Sequence, residues 1–297
     1  MKNQVIVILG PTAVGKTKLS VELAKMFDGE IINADSTQVY RGLDIATAKI
    51  REEEKEGIPH HLFDIKDVKE EYSVSDYQKD ARYWIEDCIK RDKTPILVGG
   101  TGLYIKAALY DYQFQKTSYK GEYSTYSNED LYKQLIAIDS NTTIHPNNRK
   151  RIERALDYYY DTKQVLEEKE KTDKLLYPTI FIGLTCDRNV LYDRINHRVN
   201  IMLEMGLLEE AKNIYDSQIR TKAILTPIGY KELFPYFEGK QELKDCLEEI
   251  KKVSRHYAKR QYTFFNHQLP VTWMTADFKN FQKTISEVED YIKQEIK

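Results

Sequence analysis

The sequence has few of the residues that mark disulfide-rich, fibrous or disordered proteins. Its 297 residues include 3 cysteines, 8 prolines and 13 glycines, too few for a disulfide framework, a collagen-like repeat or a proline-rich linker. Cys88, Cys186 and Cys246 lie far apart and form no CxxC pair, so we expect reduced thiols and no zinc site. Uninterrupted apolar runs are also short, well below the roughly 18 residues of a membrane-spanning helix.

An excess of charge of one sign is absent as well. The 45 lysines and arginines nearly balance the 47 aspartates and glutamates, leaving a net charge of −2, which on its face disfavours a nucleic-acid partner. The first residues run directly into a strand-like segment and lack the basic start and cleavage site of a signal peptide. We therefore expect a soluble, cytoplasmic protein without a membrane partner.

Tyrosine is the aromatic residue present in excess, with 22 copies against 10 phenylalanines. Its ring packs against apolar groups while its hydroxyl keeps a polar contact. Such an excess is typical of half-buried surfaces, and it also suits a groove that receives bases or an organic substrate.

Four short apolar segments predict the buried parallel strands of a sheet. They are Val5–Leu9, Glu30–Ala34, Pro95–Val98 and Thr179–Leu184. Segments with apolar residues at helical spacing alternate with these strands and follow the last of them. The predicted helices are Lys18–Phe27, Ser75–Lys90 with Ser75 as its N-cap, Asn147–Lys171, Asn189–Gln218 as one or two helices, Glu242–Asn266 and Glu287–Lys297. The alternation predicts an α/β fold with a P-loop-type parallel sheet core.

The pattern changes after residue 112, which suggests how the chain is divided. We expect an α/β core at 1–112, a largely helical insertion at 113–175, a core strand returning to the sheet at 176–190, and a helical extension at 191–297. The first part of the insertion, 113–128, is polar and weakly patterned, so it is predicted to be a loop.

A phosphate-binding motif lies between the first predicted strand and the first predicted helix. Residues 10–17 read GPTAVGKT, which fits G-x-x-x-x-G-K-[ST] in the strand–loop–helix context that the motif requires. Backbone N–H groups and the helix N-terminus hold phosphate oxygens, the lysine adds a full charge, and the final hydroxyl holds Mg²⁺. The predicted diphosphate- or nucleotide-binding residues are Gly10, Pro11, Thr12, Ala13, Val14, Gly15, Lys16 and Thr17. The motif does not distinguish ATP, GTP or another diphosphate.

Polar side chains follow the second and third predicted strands. Strand ends line the ligand crevice of an open parallel sheet, so Asp35 is expected beside the phosphate loop. It can be a Mg²⁺ ligand, a general base for a second substrate, or the cap of the following turn. The third strand ends in GGTG at 99–102, which indicates close backbone approach to a ligand or a tight turn into a helix, with Thr101 as its polar side chain.

Two adjacent histidines, His60 and His61, invite a catalytic interpretation. Their spacing offers no metal ligation, and no nucleophile nearby in the sequence needs a base. A structural role is therefore expected for both.

Several segments together resemble one known family. They read GPTAVGKT at 10–17, NADSTQVYRGLDIATAK at 33–49, GIPHHLFD at 57–64, PILVGGTGLYI at 95–105, IHPNNRKRIERAL at 144–156, DRNVLYDRINHRV at 187–199, MLEMGLLEEA at 202–211, IGYKEL at 228–233 and RHYAKRQYTFF at 255–265. In this order they are similar to the bacterial tRNA dimethylallyltransferase (tRNA isopentenyltransferase) family. The phosphate loop alone is generic, whereas the combination of segments is specific.

The resemblance implies transfer of a dimethylallyl group from dimethylallyl diphosphate to N6 of adenosine 37, next to the tRNA anticodon. Lys16 and Mg²⁺ on Thr17 would stabilise the departing diphosphate, with Arg188 as a further contact. Asp35 would accept the amine proton or hold the amine by a hydrogen bond, and Thr101 would orient diphosphate or base. The flipped adenine would lie against Asp35, Ser36, Thr37 and Gln38.

Two basic segments oppose the inference drawn from net charge. Residues 149–154 carry four basic residues against one acid, and 251–260 carry five with none, interleaved with Tyr257 and, just beyond, Tyr262, which can stack on bases. A basic helical run is by itself typical of a solvated face. The resemblance implies that both segments contact the anticodon stem-loop of tRNA. The residues concerned are Lys150, Arg151, Ile152, Glu153, Arg154, Lys252, Arg255, Lys259 and Arg260.

Two other functions compete with prenyl transfer. A P-loop kinase that phosphorylates a nucleotide or small metabolite with ATP is disfavoured by the missing arginine-rich lid and by the GGTG strand end. An RNA-binding switch driven by nucleotide hydrolysis is disfavoured because no glutamine- or arginine-bearing switch segment is evident. One active site per chain needs no partner, so we expect a monomer.

Overall fold

The computed structural model describes residues 4–115, 117–166 and 174–296. The chain forms two compact units, the first made of Met1–Tyr110 and Lys174–Lys297 and the second of Asp111–Asp173. The second unit begins and ends two residues before the segment expected as an insertion.

A six-stranded sheet forms the centre of the first unit. Its strands are β1 (Val5–Leu9), β2 (Gly29–Asn33), β3 (His60–His61), β4 (Thr94–Gly99), β5 (Thr179–Thr185) and β6 (Thr272–Thr275). They lie in the order β3-β2-β4-β1-β5-β6, and every neighbouring pair is parallel. The predicted α/β fold with a parallel sheet is confirmed. The two edge strands, β3 and β6, were not predicted, and β6 lies inside the expected helical extension, between two of its predicted helices.

The predicted helices are present, but several of them begin or end at residues other than those predicted. They are α1 (Lys16–Met26), α2 (Glu52–Lys55), α3 (Val74–Lys90), α4 (Gly102–Leu109), α5 (Asn128–Ile138), α6 (Arg149–Thr162), α7 (Arg188–Glu204), α8 (Leu207–Asp216), α9 (Lys222–Leu225), a 3-10 turn (Lys231–Leu233), α10 (Phe234–Phe237), α11 (Leu243–Gln268) and α12 (Phe281–Glu295). Gly206, in a left-handed conformation with φ 103°, divides the predicted segment 189–218 into α7 and α8. No described helix is long and apolar enough to cross a membrane.

The two longest departures concern α6 and α12. Helix α6 ends at Thr162, where Lys163 turns left-handed, and the last part of its predicted continuation, 167–171, lies outside the described residues. Helix α12 begins six residues before the predicted start. Its buried Ile285, Val288 and Ile292 pack on the sheet, so the C-terminal segment belongs to the core.

Both faces of the sheet are covered by helices, which explains why β1 is apolar throughout. Val5, Val7 and Leu9 point to the face covered by α3 and α4. Ile6 and Ile8 point to the face covered by α1 and α12. All five side chains are fully buried, so β1 lies at the centre of the unit and its carboxyl end is a rigid support for the loop that follows.

A third apolar cluster connects the segment after β2 to the later helices. Val39 and Leu43 are fully buried against Leu207 of α8, Tyr230 and Ile250 of α11. This contact fixes the segment that follows Asp35 from a part of the chain far away in sequence.

The second unit is built around the pairing of α5 and α6. Leu131 and Leu135 of α5 pack on Ile152 and Leu156 of α6, and all four are buried. Residues 117–127, in the segment expected to be a loop, contain no regular helix or strand, and Tyr123 donates a hydrogen bond to Asp157 Oδ1 at 2.8 Å. Because Ile152 packs between α5 and α6, its side chain belongs to the core of the second unit.

The N-cap of α3 is Ser73, not the predicted Ser75. Ser73 Oγ accepts a hydrogen bond from the Asp76 N–H at 3.2 Å, and Asp76 Oδ2 accepts one from the Ser73 N–H at 2.9 Å. This reciprocal capping box satisfies two N–H groups that a helix start leaves without partners. Ser75, two residues later, already has helical backbone.

We expect Ser73→Ala to lower the free energy of unfolding by about 1 kcal/mol, because it removes the cap of a helix that covers the sheet. Ser75→Ala is the matched control and should change it by less than about 0.5 kcal/mol. Urea denaturation followed by circular dichroism measures both. Equal losses in the two variants would contradict the assignment of the cap.

Candidate active site

The phosphate loop occupies the carboxyl end of β1 and leads directly into α1. Gly10 and Gly15 have φ values of 139° and 98°, which side-chain-bearing residues rarely adopt. A Cβ on Gly10 would lie 2.5 Å from the Leu184 carbonyl oxygen of β5, and one on Gly15 would lie 2.8 Å from the Phe281 ring. Lys16 Nζ donates to the carbonyl oxygens of Gly10 at 3.0 Å and Pro11 at 2.7 Å. The loop is thus folded around its own lysine.

The charges around Lys16 interact strongly. The pKa of Lys16 is lowered to about 7, mainly by burial and also by the positive charge of Arg198, while the negative charge of Asp35 opposes both. Burial also lowers the pKa of Arg198, which Asp35 again opposes. These effects place Lys16, Arg198 and Asp35 within electrostatic reach of each other. Thr17, in the first turn of α1, is exposed.

Asp35 follows β2 and is held by its own turn. Its Oδ1 accepts hydrogen bonds from the Thr37 N–H at 3.0 Å and the Thr37 hydroxyl at 2.7 Å. The fully buried Asn33 accepts from the Asp35 N–H at 2.9 Å and donates to the Asp35 carbonyl oxygen at 3.1 Å. The carboxylate is therefore oriented before any substrate binds.

Thr101 connects the end of β4 to the segment after β2. Its Oγ1 accepts from the Ser36 N–H at 3.1 Å, and its own N–H donates to the Ala34 carbonyl oxygen at 3.1 Å. A Cβ on Gly99 would overlap the Ala34 backbone. The close approach indicated by the GGTG segment is thus an approach of the chain to itself, and the segment also turns into α4.

Helix α11 supplies two side chains that the sequence analysis did not place here. Gln261 Nε2 donates to the Gly100 carbonyl oxygen at 3.0 Å, and its Oε1 accepts from the Thr12 N–H at 3.3 Å. Burial and the charge of Asp35 raise the pKa of Tyr257, which hydrogen-bonds with Thr101 and Gln261. Their spacing of four residues on one helix was the signal that could have found them.

Tyr257 and Tyr262 were both suggested as surfaces for base stacking, and the structure separates them. Tyr257 lies at the site just described. The Tyr262 hydroxyl is 2.8 Å from Thr185 Oγ1, and its ring packs 5.2 Å from that of Trp273. Tyr262 therefore joins α11 to the sheet.

The arginines of α7 correct one prediction. Arg188, the first residue of the helix, is exposed and donates to the Tyr192 hydroxyl at 3.2 Å. Arg194 Nε instead donates to the Ala13 carbonyl oxygen of the phosphate loop at 2.9 Å, with its guanidinium 3.7 Å from the centre of the Phe278 ring. Arg194 and Arg198, one turn apart, are thus the arginines that face the loop, because the phase of the helix turns Arg188 towards Tyr192.

The basic segment on α11 is partly neutralised by acids one turn earlier. Lys252 is exposed and pairs with Glu249 at 3.0 Å, and Lys251 pairs with Glu248 at 2.8 Å. Arg255 Nη1 donates to Asn196 Oδ1 of α7 at 2.6 Å. Among the other lysines and arginines of the segment, Lys259 and Arg260 are exposed. Glu248 and Glu249, just before the basic run, therefore compensate part of its charge.

The basic segment on α6 presents three of its five predicted RNA contacts to solvent. Lys150, Arg151 and Arg154 are exposed. Ile152 is fully buried in the second unit, and Glu153 forms an ion pair with Arg149 at 2.7 Å. The inclusion of Ile152 among RNA contacts is therefore wrong, because its side chain fills a core.

The histidine pair has structural partners. His61 Nε2 lies 2.7 Å from Glu30 Oε2, and its ring stacks on Trp84 at 3.7 Å. Cys88 completes a group with metal-ligand spacing. However, Arg91 binds both oxygens of Glu30 at 2.6 and 2.8 Å, and burial raises the pKa of the Cys88 thiol to about 12. The group is thus charge-paired and its thiol protonated, so it does not suit a metal.

Segment 35–38 ends in a side chain that is fixed by the loop beyond it. Gln38 Nε2 donates to the carbonyl oxygens of Thr47 at 2.9 Å and Ala48 at 3.3 Å. Asp35, Thr101, Gln261 and the phosphate loop are thus gathered at one edge of the sheet. A polyanion and a second, nucleophilic substrate fit this arrangement.

Comparison with known proteins gives one consistent result. Residues 38–268 match the family model described as IPP transferase. The chain is 49% identical to the tRNA dimethylallyltransferase of Anoxybacillus flavithermus, covering 99% of this chain and 97% of that protein. It is 45% identical to the tRNA dimethylallyltransferase of Bacillus subtilis, covering 92% and 90%.

Solved structures agree. A tRNA isopentenylpyrophosphate transferase from Staphylococcus epidermidis superimposes with a TM-score of 0.75 at 41% identity, covering 99% of both chains. A eukaryotic dimethylallyltransferase described as acting on tRNA gives a TM-score of 0.84 at 32% identity, covering 98% of this chain and 80% of that one. The chain belongs to the tRNA dimethylallyltransferase family.

Proposed function

We propose that the protein transfers the dimethylallyl group of dimethylallyl diphosphate to N6 of adenosine 37 in tRNA and releases diphosphate. The allylic C–O bond breaks, a C–N bond forms, and N6 loses a proton. The observation that carries the proposal is the placement of a phosphate-binding lysine, Lys16, within electrostatic reach of a fixed carboxylate, Asp35. A kinase is not favoured, because relatives that match over nine-tenths of the chain are prenyltransferases.

The donor side stabilises the charge that develops on the leaving diphosphate. The phosphate loop offers backbone N–H groups and Lys16, and Arg194 and Arg198 add positive charge from α7. Such preorganised charges act where water is excluded and need no reorganisation during the reaction.

Mg²⁺ fits the donor side. The exposed Thr17 hydroxyl follows Lys16 at the N-terminus of α1, which is the position that binds the metal in this motif. When bound, the ion would neutralise charge on the diphosphate oxygens.

The acceptor side must activate a weak nucleophile, because the lone pair of an adenine amine is delocalised into its ring. We assign Asp35 to receive the N6 proton as the C–N bond forms, with Thr37 holding the carboxylate in position. Thr101 and Tyr257 lie beside it and orient the reacting groups. The base must leave its stack to reach this pocket.

Basic side chains on α6 and α11 are proposed to bind the anticodon stem-loop. They lie in the two segments already described, and RNA recognition of this kind uses phosphate contacts and shape. The proposed contacts are Lys150, Arg151 and Arg154 on α6 and Lys252, Arg255, Lys259 and Arg260 on α11.

The direct test incubates the protein with Mg²⁺, unmodified tRNA and dimethylallyl diphosphate, digests the RNA, and analyses the nucleosides by mass spectrometry. A prenylated adenosine is expected, and a tRNA with guanosine at position 37 is the matched control. ATP turnover without a prenylated nucleoside would refute the proposal.

We expect Asp35→Ala to reduce transfer at least about 100-fold, the usual contribution of a positioned base, while diphosphate binding stays nearly intact. Single-turnover assays measure transfer, and calorimetry measures binding. Thr37→Val, which removes one of the two hydrogen bonds to the carboxylate, should cost less. Collapse of diphosphate binding in Asp35→Ala would instead assign Asp35 to the Mg²⁺ site.

The pKa of Lys16, about 7, predicts that diphosphate affinity falls as pH rises above 7. The bound anion favours the charged lysine and raises its pKa, so the protein takes up a proton when diphosphate binds above pH 7. Above that pH the affinity for diphosphate should fall by up to tenfold per pH unit. Calorimetry at pH 7 to 9 in buffers of different ionisation enthalpy measures this uptake. Lys16→Arg keeps a permanent charge and should bind without it. Absence of proton uptake by the wild-type protein at pH 8 would contradict the assignment.

We expect the double variant Lys259→Ala, Arg260→Ala to weaken tRNA binding. The slope of log K against log salt concentration should become shallower by roughly 1 to 2, because binding releases fewer counterions when phosphate contacts are lost. Filter binding at several salt concentrations measures the slope. Lys293→Ala, which removes an exposed lysine of α12, is the control. An unchanged slope in the double variant would exclude these residues from the RNA surface.

A further inference from the structure

We propose that Glu210 of α8, fixed by Tyr230, is a positioning residue for the acceptor base. It holds residues 44–46, which in turn keep Gln38 and its neighbours in their binding conformation. The inference rests on the proposed role of segment 35–38 in receiving the flipped adenine.

Glu210 receives hydrogen bonds from three consecutive backbone N–H groups. Its Oε2 accepts from Asp44 at 3.2 Å and Ile45 at 2.9 Å, and its Oε1 accepts from Ile45 at 3.0 Å and Ala46 at 3.2 Å. Consecutive N–H groups that converge on one anion form a nest, a favourable arrangement for negative charge. The two partners lie more than 160 residues apart in the chain, so the contact joins distant parts of the first unit.

Tyr230 fixes the carboxylate from the other side. Its hydroxyl donates to Glu210 Oε1 at 2.7 Å, and the residue is fully buried. Burial and the charge of Glu210 raise the pKa of Tyr230, so the hydroxyl stays protonated and remains a donor. Gly229 has φ 125°, and a Cβ there would lie 3.0 Å from the Ala46 Cβ, so residue 46 is seated closely on this turn.

The held loop reaches the acceptor segment through Gln38. The carbonyl oxygens of Thr47 and Ala48, directly after the nest, accept the two hydrogen bonds of Gln38 Nε2. Lys49 then closes the loop: its Nζ donates to the Tyr40 carbonyl oxygen at 2.8 Å and pairs with Asp44 at 2.6 Å. Loss of Glu210 releases the first part of this loop, and with it the acceptors that hold Gln38.

The consequence is specific for one substrate. When a binding segment is ordered only part of the time, its apparent affinity is the affinity of the ordered state multiplied by the ordered fraction. The donor loop at 10–17 lies between β1 and α1 and makes none of these contacts with Glu210. Loosening residues 44–48 should therefore raise KM for tRNA and leave KM for dimethylallyl diphosphate unchanged.

The test compares steady-state kinetics of Glu210→Gln, Glu210→Asp and Tyr230→Phe with the wild-type protein. Glu210→Gln should raise KM for tRNA at least about 10-fold, Tyr230→Phe about 3-fold, and Glu210→Asp less than Glu210→Gln because it keeps the carboxylate. KM for dimethylallyl diphosphate should stay within twofold in all three. Glu209→Gln, at an exposed neighbouring position, is the matched control and should change neither constant.

Two further measurements separate the possible failures. Gln38→Ala should raise KM for tRNA, and its combination with Glu210→Gln should add little, because both act on one element. A normal KM in Gln38→Ala would refute the proposed role of segment 35–38. If Gln38→Ala raises KM for tRNA while Glu210→Gln keeps a normal KM for tRNA, with or without a lower kcat, the positioning role of Glu210 alone is refuted. Thermal melting of each variant confirms that it is folded at the assay temperature.

Discussion

The site depends on two strand ends that approach each other with no side chain between them. β2 and β4 meet where Gly99 lies against the Ala34 backbone, too close for a Cβ. This approach lets Thr101 bond both Ala34 and Ser36, and it carries Asp35 towards the phosphate loop. The constraint is steric before it is chemical, because a larger residue at 99 would move the carboxylate away from the donor side.

Local charge explains what net charge does not. Lys16, Arg194 and Arg198 surround one loop, and Asp35 compensates only part of their charge. Burial makes each positive charge costly, which is visible in the lowered pKa of Lys16. A bound polyanion relieves that cost, so the loop is suited to a diphosphate. A net charge of −2 averages over this concentration of positive charge and over the paired surface of α11.

The sequence predicted the centre of the fold better than its edges. β1 has the predicted bounds, Val5–Leu9, because a fully buried strand has to be apolar at every position. β3 and β6 have two and four residues and are half-exposed, so their pairing comes from neighbouring strands and leaves no periodic pattern. Helix α5 was missed because only Leu131 and Leu135 of its eleven residues are buried.

The site shows the same division between local and tertiary information. The phosphate loop is a local motif, and its place between β1 and α1 follows from the sequence. Which arginine of α7 faces that loop depends on the rotation of the helix against the sheet, so Arg194 and Arg198 could not be distinguished from Arg188. The contacts of Gln261 and Glu210 join residues more than 160 positions apart, beyond the reach of any local pattern.

Aromatic side chains just before and at the start of α12 support the phosphate loop from outside the motif. Phe281 lies against Gly15 and Lys18, and Phe278 stacks on Arg194, which donates to the Ala13 carbonyl oxygen. The motif therefore does not fix the conformation of the loop by itself. A change of packing at Phe278 or Phe281 would alter the donor site while every residue of the motif stays the same.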